Sequence, residues 1–311
     1  YDWCDRHGVL VWQDFMMGCA SYPQTDEFAA ALAAEARAVI ERLRRHPSLA
    51  LWAGDNECDC AIAQWGASPR DPGDNRLTRA ILPDAVRRYD PARQFLPSSP
   101  YISPRAYREH KGTPEDHLWG PRDYYKGPYY TGARAVFASE TGYHGCPSPS
   151  SLRRFLPKDA LWPWENNPAW LVHASCMEAR TDTPYSYRIP LMANQVKTLF
   201  GEIPQTLSEF SAASQISQAE AMKFFLERFR GAKWERTGII WWNLLDGWPQ
   251  FSDAVVDYYG GEKLAFHVLA RCQQPTLLML GEADADGRHP VIFVNDGGAD
   301  VHAGCTVTDA D

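Results

Sequence analysis

The sequence has no apolar run near the roughly 20 residues that a membrane-spanning helix needs, so a helical membrane span is not expected. It has no Lys/Arg run of useful length, and its formal net charge of −8 argues against a nucleic-acid partner. The densest basic spot, Arg42, Arg44 and Arg45, falls at the end of a predicted helix, where cations suit the helix dipole. No glycine-rich loop follows a predicted strand, which removes phosphate cradling as a theme. Cys-x-x-Cys pairs of the zinc type are missing: the eight cysteines are scattered, with one C-x-C at Cys58 and Cys60. Read as free thiols, they point to a reducing, cytoplasmic compartment. His-x-His ligand spacing, solenoid repeats and low-complexity tracts are absent as well. No signal peptide is visible, and the chain, opening on Tyr1, is expected to begin inside a fold.

What is abundant is aromatic surface of a particular kind. Twelve Trp and fourteen Tyr exceed the need of a core, and many stand beside Gly, Pro and Asp. Aromatic faces in a concave site stack against the C–H faces of sugars, although most such residues in any protein are edges of the core.

Four segments share one design. GVLVWQDF (8–15), LALWAGDNE (49–57), ARAVFASE (133–140) and GIIWWNLLD (238–246) each place an apolar run ahead of polar residues. Such runs suit strands buried on both faces of a parallel sheet, and sites form at their C-terminal ends. Shorter strands are predicted at 94–101 and 115–120. A helix is predicted over 26–45, capped by Thr25 and burying Phe28, Leu32, Val39 and Leu43; another covers 77–89, with Pro83 as a kink or break. Stretches 102–132 and 143–190 read as long loops, followed by helices at 195–203, 217–230 and 262–272. After Gln274-Pro275 the texture turns to short strands, at 276–280, 289–296 and 303–309. The pattern is α/β. Its spacing and wide loops favour a (β/α) barrel over a doubly wound sheet, although only six strands precede residue 272.

Glu57 and Glu140 are the sharpest pair. Each ends a buried strand, and two carboxylates facing each other across a cavity are what glycosidic cleavage needs. The competing reading of either residue is an ion pair with arginine at the sheet rim. Here the sequence resembles the catalytic barrel of glycoside hydrolase family 2, especially its β-mannosidase-like branch. The blocks that carry the resemblance are YDWCDRHGVLVWQDF with MMGCASYP, HPSLALWAGDNE, FASETGYHGCPS, WWNLLDGWPQFSDAVVDYYG and KLAFHVLARCQQP, in order over residues 1 to about 275.

The resemblance implies Glu57 as acid/base, Asn56 as the amide on the sugar 2-hydroxyl, Glu140 as nucleophile and Trp242 as floor of the subsite. It implies, more loosely, His117 and Trp119 at the site edge. Asp14 is a candidate for a sugar hydroxyl or for a buried loop cap, and Trp248, with Asp246, for the rim. Tyr143 and His144 follow Glu140 closely. The implied mechanism is retaining, with no metal or organic cofactor. It requires a protonated Glu57 and an ionised Glu140, with carboxyl groups about 5–5.5 Å apart.

Two earlier barrel strands and N-terminal sandwich domains of the family are not in this chain. It is therefore expected to be a fragment: an incomplete TIM (β/α)8 barrel, about strands 3–8, over residues 1–272, and the start of an immunoglobulin-like β-sandwich over 273–311. Two copies covering each other's open barrel edges is the expected form of any homo-oligomer. The expected substrate is a β-mannoside, then a β-galactoside or β-glucuronide. Two other classes stand beside this: a carbohydrate-binding protein that does not hydrolyse, and a metal-assisted hydrolase using His117 and His144.

Overall fold

The computed structural model describes residues 1–65, 68–174, 185–306 and 308. The chain divides into two compact units, Tyr1–His117 with Arg134–Ser139, and Leu118–Ala133 with Glu140–Asp311.

In the first unit, β1 (Val11–Asp14), β2 (Leu49–Ala53) and β3 (Gln94–Leu96) form a parallel sheet in that order. Parallel neighbours need a crossover between them. The helix Asp26–Leu43 supplies the first: Thr25 accepts from the Phe28 N–H, and Ala29, Leu32, Ala36, Ile40 and Leu43 make its buried stripe. Phe28 and Val39, predicted on that stripe, lie at its half-buried edge. Pro83 does not break the second crossover. A π-turn at Leu77–Ile81 runs into the helix Leu82–Tyr89, which puts Pro83 in a first turn, where its missing N–H costs no bond.

Trp52, fully buried on β2, stacks on Phe15 at 5.3 Å and donates to Asp90 at 3.0 Å. Arg93 closes the same corner, bonding Asp90 and the carbonyls of Arg44, His46 and Leu49. β4 (Glu115–His117) neighbours β5 (Phe137–Glu140). β2 to β5 are all shorter than predicted: residues 54–57, 97–101, 118–120 and 133–136 are not strand.

In the second unit the predicted helix at 217–230 is one helix of 25 residues, Leu207–Gly231, and the helix at 195–203 begins at Arg188. The reason is a buried polar face. Ser211 donates to the Pro147 carbonyl, Ser214 accepts from the Cys146 N–H, and Gln218 donates to the carbonyls of Tyr143 and Asp253. Buried side chains that satisfy loop backbone look like solvent-facing positions in a hydropathy pattern. The predicted loops also hold short helices, among them Pro104–Glu109, Pro128–Gly132, Pro149–Phe155 and Pro168–Val172. Each starts on proline, and Ser103, Ser148 and Asn167 cap three of them.

Only Gly238–Ile239 (β6) of the predicted 238–246 strand is extended; beyond it Val255 and Val256 donate to the carbonyls of Asn243 and Leu244. β7 (Thr276–Leu280) and β8 (Val291–Asn295) pair antiparallel. The third strand predicted here is not formed over 303–306, and residues 307 and 309 lie outside the described residues.

Candidate active site

The end of β2 explains how Glu57 is placed. Gly54 passes so close to β3 that a Cβ there would stand 2.2 Å from the Pro97 carbonyl oxygen, so only glycine fits. Asp55 is buried and accepts from Ser98 at 2.5 Å and from the Cys58 N–H at 3.1 Å. The Asn56 N–H donates to Met17, and the Glu57 N–H to Ser99 at 2.7 Å. Glu57 then adopts φ +60, in the left-handed region. That region is sparsely populated by non-glycine residues.

Its carboxylate is engaged on both oxygens. Oε1 lies 2.8 Å from His117 Nδ1, and Oε2 accepts from the Cys19 thiol at 3.4 Å. The other nitrogen of His117 meets Ser99 Oγ at 3.1 Å, and Ser99 donates to Glu115 at 2.8 Å. Ser139 also bonds Glu115. Ser99 Oγ also lies 3.4 Å from Ser139 Oγ, so His117 links Glu57 to a buried cluster of serine hydroxyls and the Glu115 carboxylate. Asn56 donates to Cys19 Sγ at 3.7 Å. Asp14, at the end of β1, accepts from Trp12 at 2.8 Å, and burial raises its pKa. Asp116 is pushed up to about 6, also by burial.

In the second unit Glu140 Oε2 accepts from the Trp119 indole at 2.7 Å. The Trp119 ring lies against Gly142: a Cβ there would come 2.8 Å from the ring and 2.6 Å from the Trp242 carbonyl oxygen. The Trp242 N–H donates to the Thr141 carbonyl at 2.7 Å, and the residue is 48% exposed. Glu140 and Trp119 are thus joined directly, and the Trp242 backbone passes beside them at Thr141 and Gly142. Trp248 is stacked on His173 at 5.7 Å. Asp246 is buried, accepting from Ser252 at 2.6 Å and Gln250 at 2.9 Å. His144 is fully buried, which lowers its pKa to about 4, and its Nδ1 lies 3.3 Å from Asp253.

Sequence reasoning missed Cys19, Ser99 and Glu115 around Glu57, and Arg122, whose guanidinium covers the Trp119 ring at 4.0 Å. Cys19 lay inside a quoted block, but its contact spans 38 residues of chain and no local pattern marks it. Among the described residues of the first unit, Asp2, Asp5 and His46 bring possible metal-ligand atoms within 4.8 Å of one another. His46 is already 2.6 Å from Asp5, which also accepts from the Ser48 N–H.

No protein-family model matches the chain. It is 29% identical to Beta-mannosidase B of Aspergillus fumigatus over 295 residues, covering 88% of this chain and 33% of the relative. The same protein of Emericella nidulans matches with the same identity and coverage. The β-D-mannosidase of Dictyoglomus thermophilum superposes with a TM-score of 0.80 at 28% identity, over 95% of this chain and 35% of that structure. The exo-chitosanase of Amycolatopsis orientalis shares the fold, with a TM-score of 0.66 at 19% identity, over 89% of this chain and 32% of that one. The chain thus spans about a third of the length of the curated relatives it matches. These likenesses agree with the resemblance to glycoside hydrolase family 2 in its β-mannosidase-like branch.

Proposed function

We propose that this chain carries the catalytic carboxylates of a retaining β-glycoside hydrolase, with β-mannosides as the favoured substrate and β-galactosides or β-glucuronides next. In this reading residues 1–272 are strands 3–8 of a TIM (β/α)8 barrel, and 273–311 begin an immunoglobulin-like β-sandwich. The observation that carries it is Glu57: a left-handed glutamate at the end of a parallel strand, bonded to His117, with Asn56 beside it.

Glu140 attacks the anomeric carbon and forms the covalent glycosyl-enzyme. Glu57 protonates the departing oxygen and then takes a proton from the incoming water. The imidazole of His117, 2.8 Å from Glu57, suits that role, because it can pass a proton to the carboxyl and an acid/base must be able to reload. The indole N–H of Trp119 favours the ionised form of the Glu140 carboxyl, as a nucleophile needs. Asn56 reads the 2-hydroxyl, Trp242 supplies the apolar floor, and Asp14, His117, Trp119 and Trp248 line the remaining sugar contacts. No metal or organic cofactor enters this chemistry. A homo-oligomer would form by two copies covering each other's open sheet edges, and a folded monomer on size-exclusion chromatography would count against it.

The test is a panel of aryl β-glycosides assayed with wild type, Glu57→Gln and Glu140→Gln. Mannoside hydrolysis lost in Glu140→Gln is the expected result. Turnover that survives this change would remove the nucleophile assignment, and binding without turnover in the full-length protein would favour a sugar-binding protein.

A further inference from the structure

Arg122 is a loop residue that nothing in the sequence marks, yet the second unit holds it from several directions. It adopts φ +55, a conformation that costs a non-glycine residue free energy. Its carbonyl accepts from buried Gln195 at 2.6 Å. The flanking carbonyls are pinned as well, Trp119 by the Tyr130 hydroxyl at 2.6 Å and Asp123 by the Tyr143 hydroxyl at 2.9 Å. The result brings the guanidinium over the Trp119 ring at 4.0 Å, with Nη1 3.6 Å from Asp253 Oδ2. Both charged side chains are largely buried, 15% and 9% exposed.

We propose that Arg122, anchored by Asp253, is a positioning residue for Glu140 that acts through Trp119. The inference rests on the reading of Glu140 as nucleophile. Two physical effects combine. A cation on the face of an indole draws electron density from the ring, which makes the N–H a stronger donor to the carboxylate. The stacked guanidinium and Gly142 also confine the ring, so the N–H stays aimed at Oε2. A buried ion pair that only stabilised the loop would need no ring between it and the carboxylate.

The test reads the link directly, by indole N–H resonances of protein labelled with 15N-tryptophan. Trp119→Phe identifies the Trp119 signal among the twelve tryptophans. Glu140→Gln, which removes the charged acceptor, calibrates the upfield shift of a weakened bond. Arg122→Met is expected to move the signal upfield by at least a third of that calibrated shift, and Asp253→Asn and Arg122→Lys, which keeps the charge without the planar group, in the same direction by less. A folded Arg122→Met protein with an unmoved Trp119 signal overturns the proposal. Should Arg122→Met not fold, an unmoved signal in Asp253→Asn does so.

The kinetic arm is the rate of covalent trapping of Glu140 by an activated 2-deoxy-2-fluoro glycoside. It should fall about tenfold in Arg122→Met, through the trapping step and not through binding, and recover in part in Arg122→Lys. A fall confined to binding overturns the proposal. Absence of trapping in the full-length wild-type protein would instead remove the nucleophile reading, and the resonance shifts would still judge the link between Arg122 and Trp119.

Discussion

Asp55 stands one residue before Asn56 with no exposed surface, and burial pushes its carboxyl up to about 7. Unfolded, it would titrate near 3.9. Between these values the folded chain binds the extra proton, so stability is full below about pH 4 and is lost as pH rises toward 7. Asp55→Asn keeps an acceptor for Ser98 and the Cys58 N–H without a charge to bury. It should match wild type near pH 3.5, gain on it steadily as pH rises, and exceed it by about 2 kcal/mol or more at pH 8 in urea unfolding. Comparing the two proteins at each pH cancels other groups, such as His144. Glu57→Gln should lose about 10²–10⁴-fold in kcat/KM on glycosides with poor leaving groups, and far less on dinitrophenyl glycosides, which depart unprotonated. Gly142→Ala would push a methyl group into the Trp242 backbone and the Trp119 ring; kcat/KM should fall about tenfold or more while circular dichroism still reports a folded chain. Glu57 and Glu140 were legible in the sequence because a carboxylate ending an apolar run is conspicuous. Cys19 and Arg122 were not, because their significance lies in contacts far along the chain or in an irregular loop.

Elements were legible in proportion to how simply they bury. The Asp26–Leu43 helix has an apolar stripe, a Thr25 cap and acids in its first turn, so its period and start could be read directly. Thr25→Ala should cost about 1 kcal/mol, measurable by thermal or urea unfolding, because one first-turn N–H loses its acceptor. Leu207–Gly231 was truncated in the reading because Ser211, Ser214, Ser217 and Gln218 are buried, and polar residues that face a core hide the helical period. The strand read at 238–246 failed for a related reason. Its apolar residues include Trp242, Leu244 and Leu245, which are about half exposed, so they do not signal a buried strand at all.

At the scale of the molecule, the α/β class and the parallel arrangement of β1 to β3 followed from alternating apolar runs and helices. The division of the chain into units did not, since it depends on contacts that no local pattern encodes. The proposed retaining mechanism makes a prediction for the intact reaction: proton NMR of hydrolysis in progress should show the β-anomer of the released sugar first, before mutarotation. Release of the α-anomer first would mean inversion, and Glu140 would then not be a covalent nucleophile.

The first unit is assembled from two stretches of chain, Tyr1–His117 and Arg134–Ser139, with part of the other unit in between. A ribosome therefore delivers its last piece late. Until Phe137 and its neighbours emerge, β4 lacks its partner and Glu115 lacks Ser139. Folding of this unit during synthesis has to wait for the very residues that lead into Glu140, so a stall or a break between 118 and 133 would leave an exposed strand edge, the surface that chaperones capture and aggregates recruit.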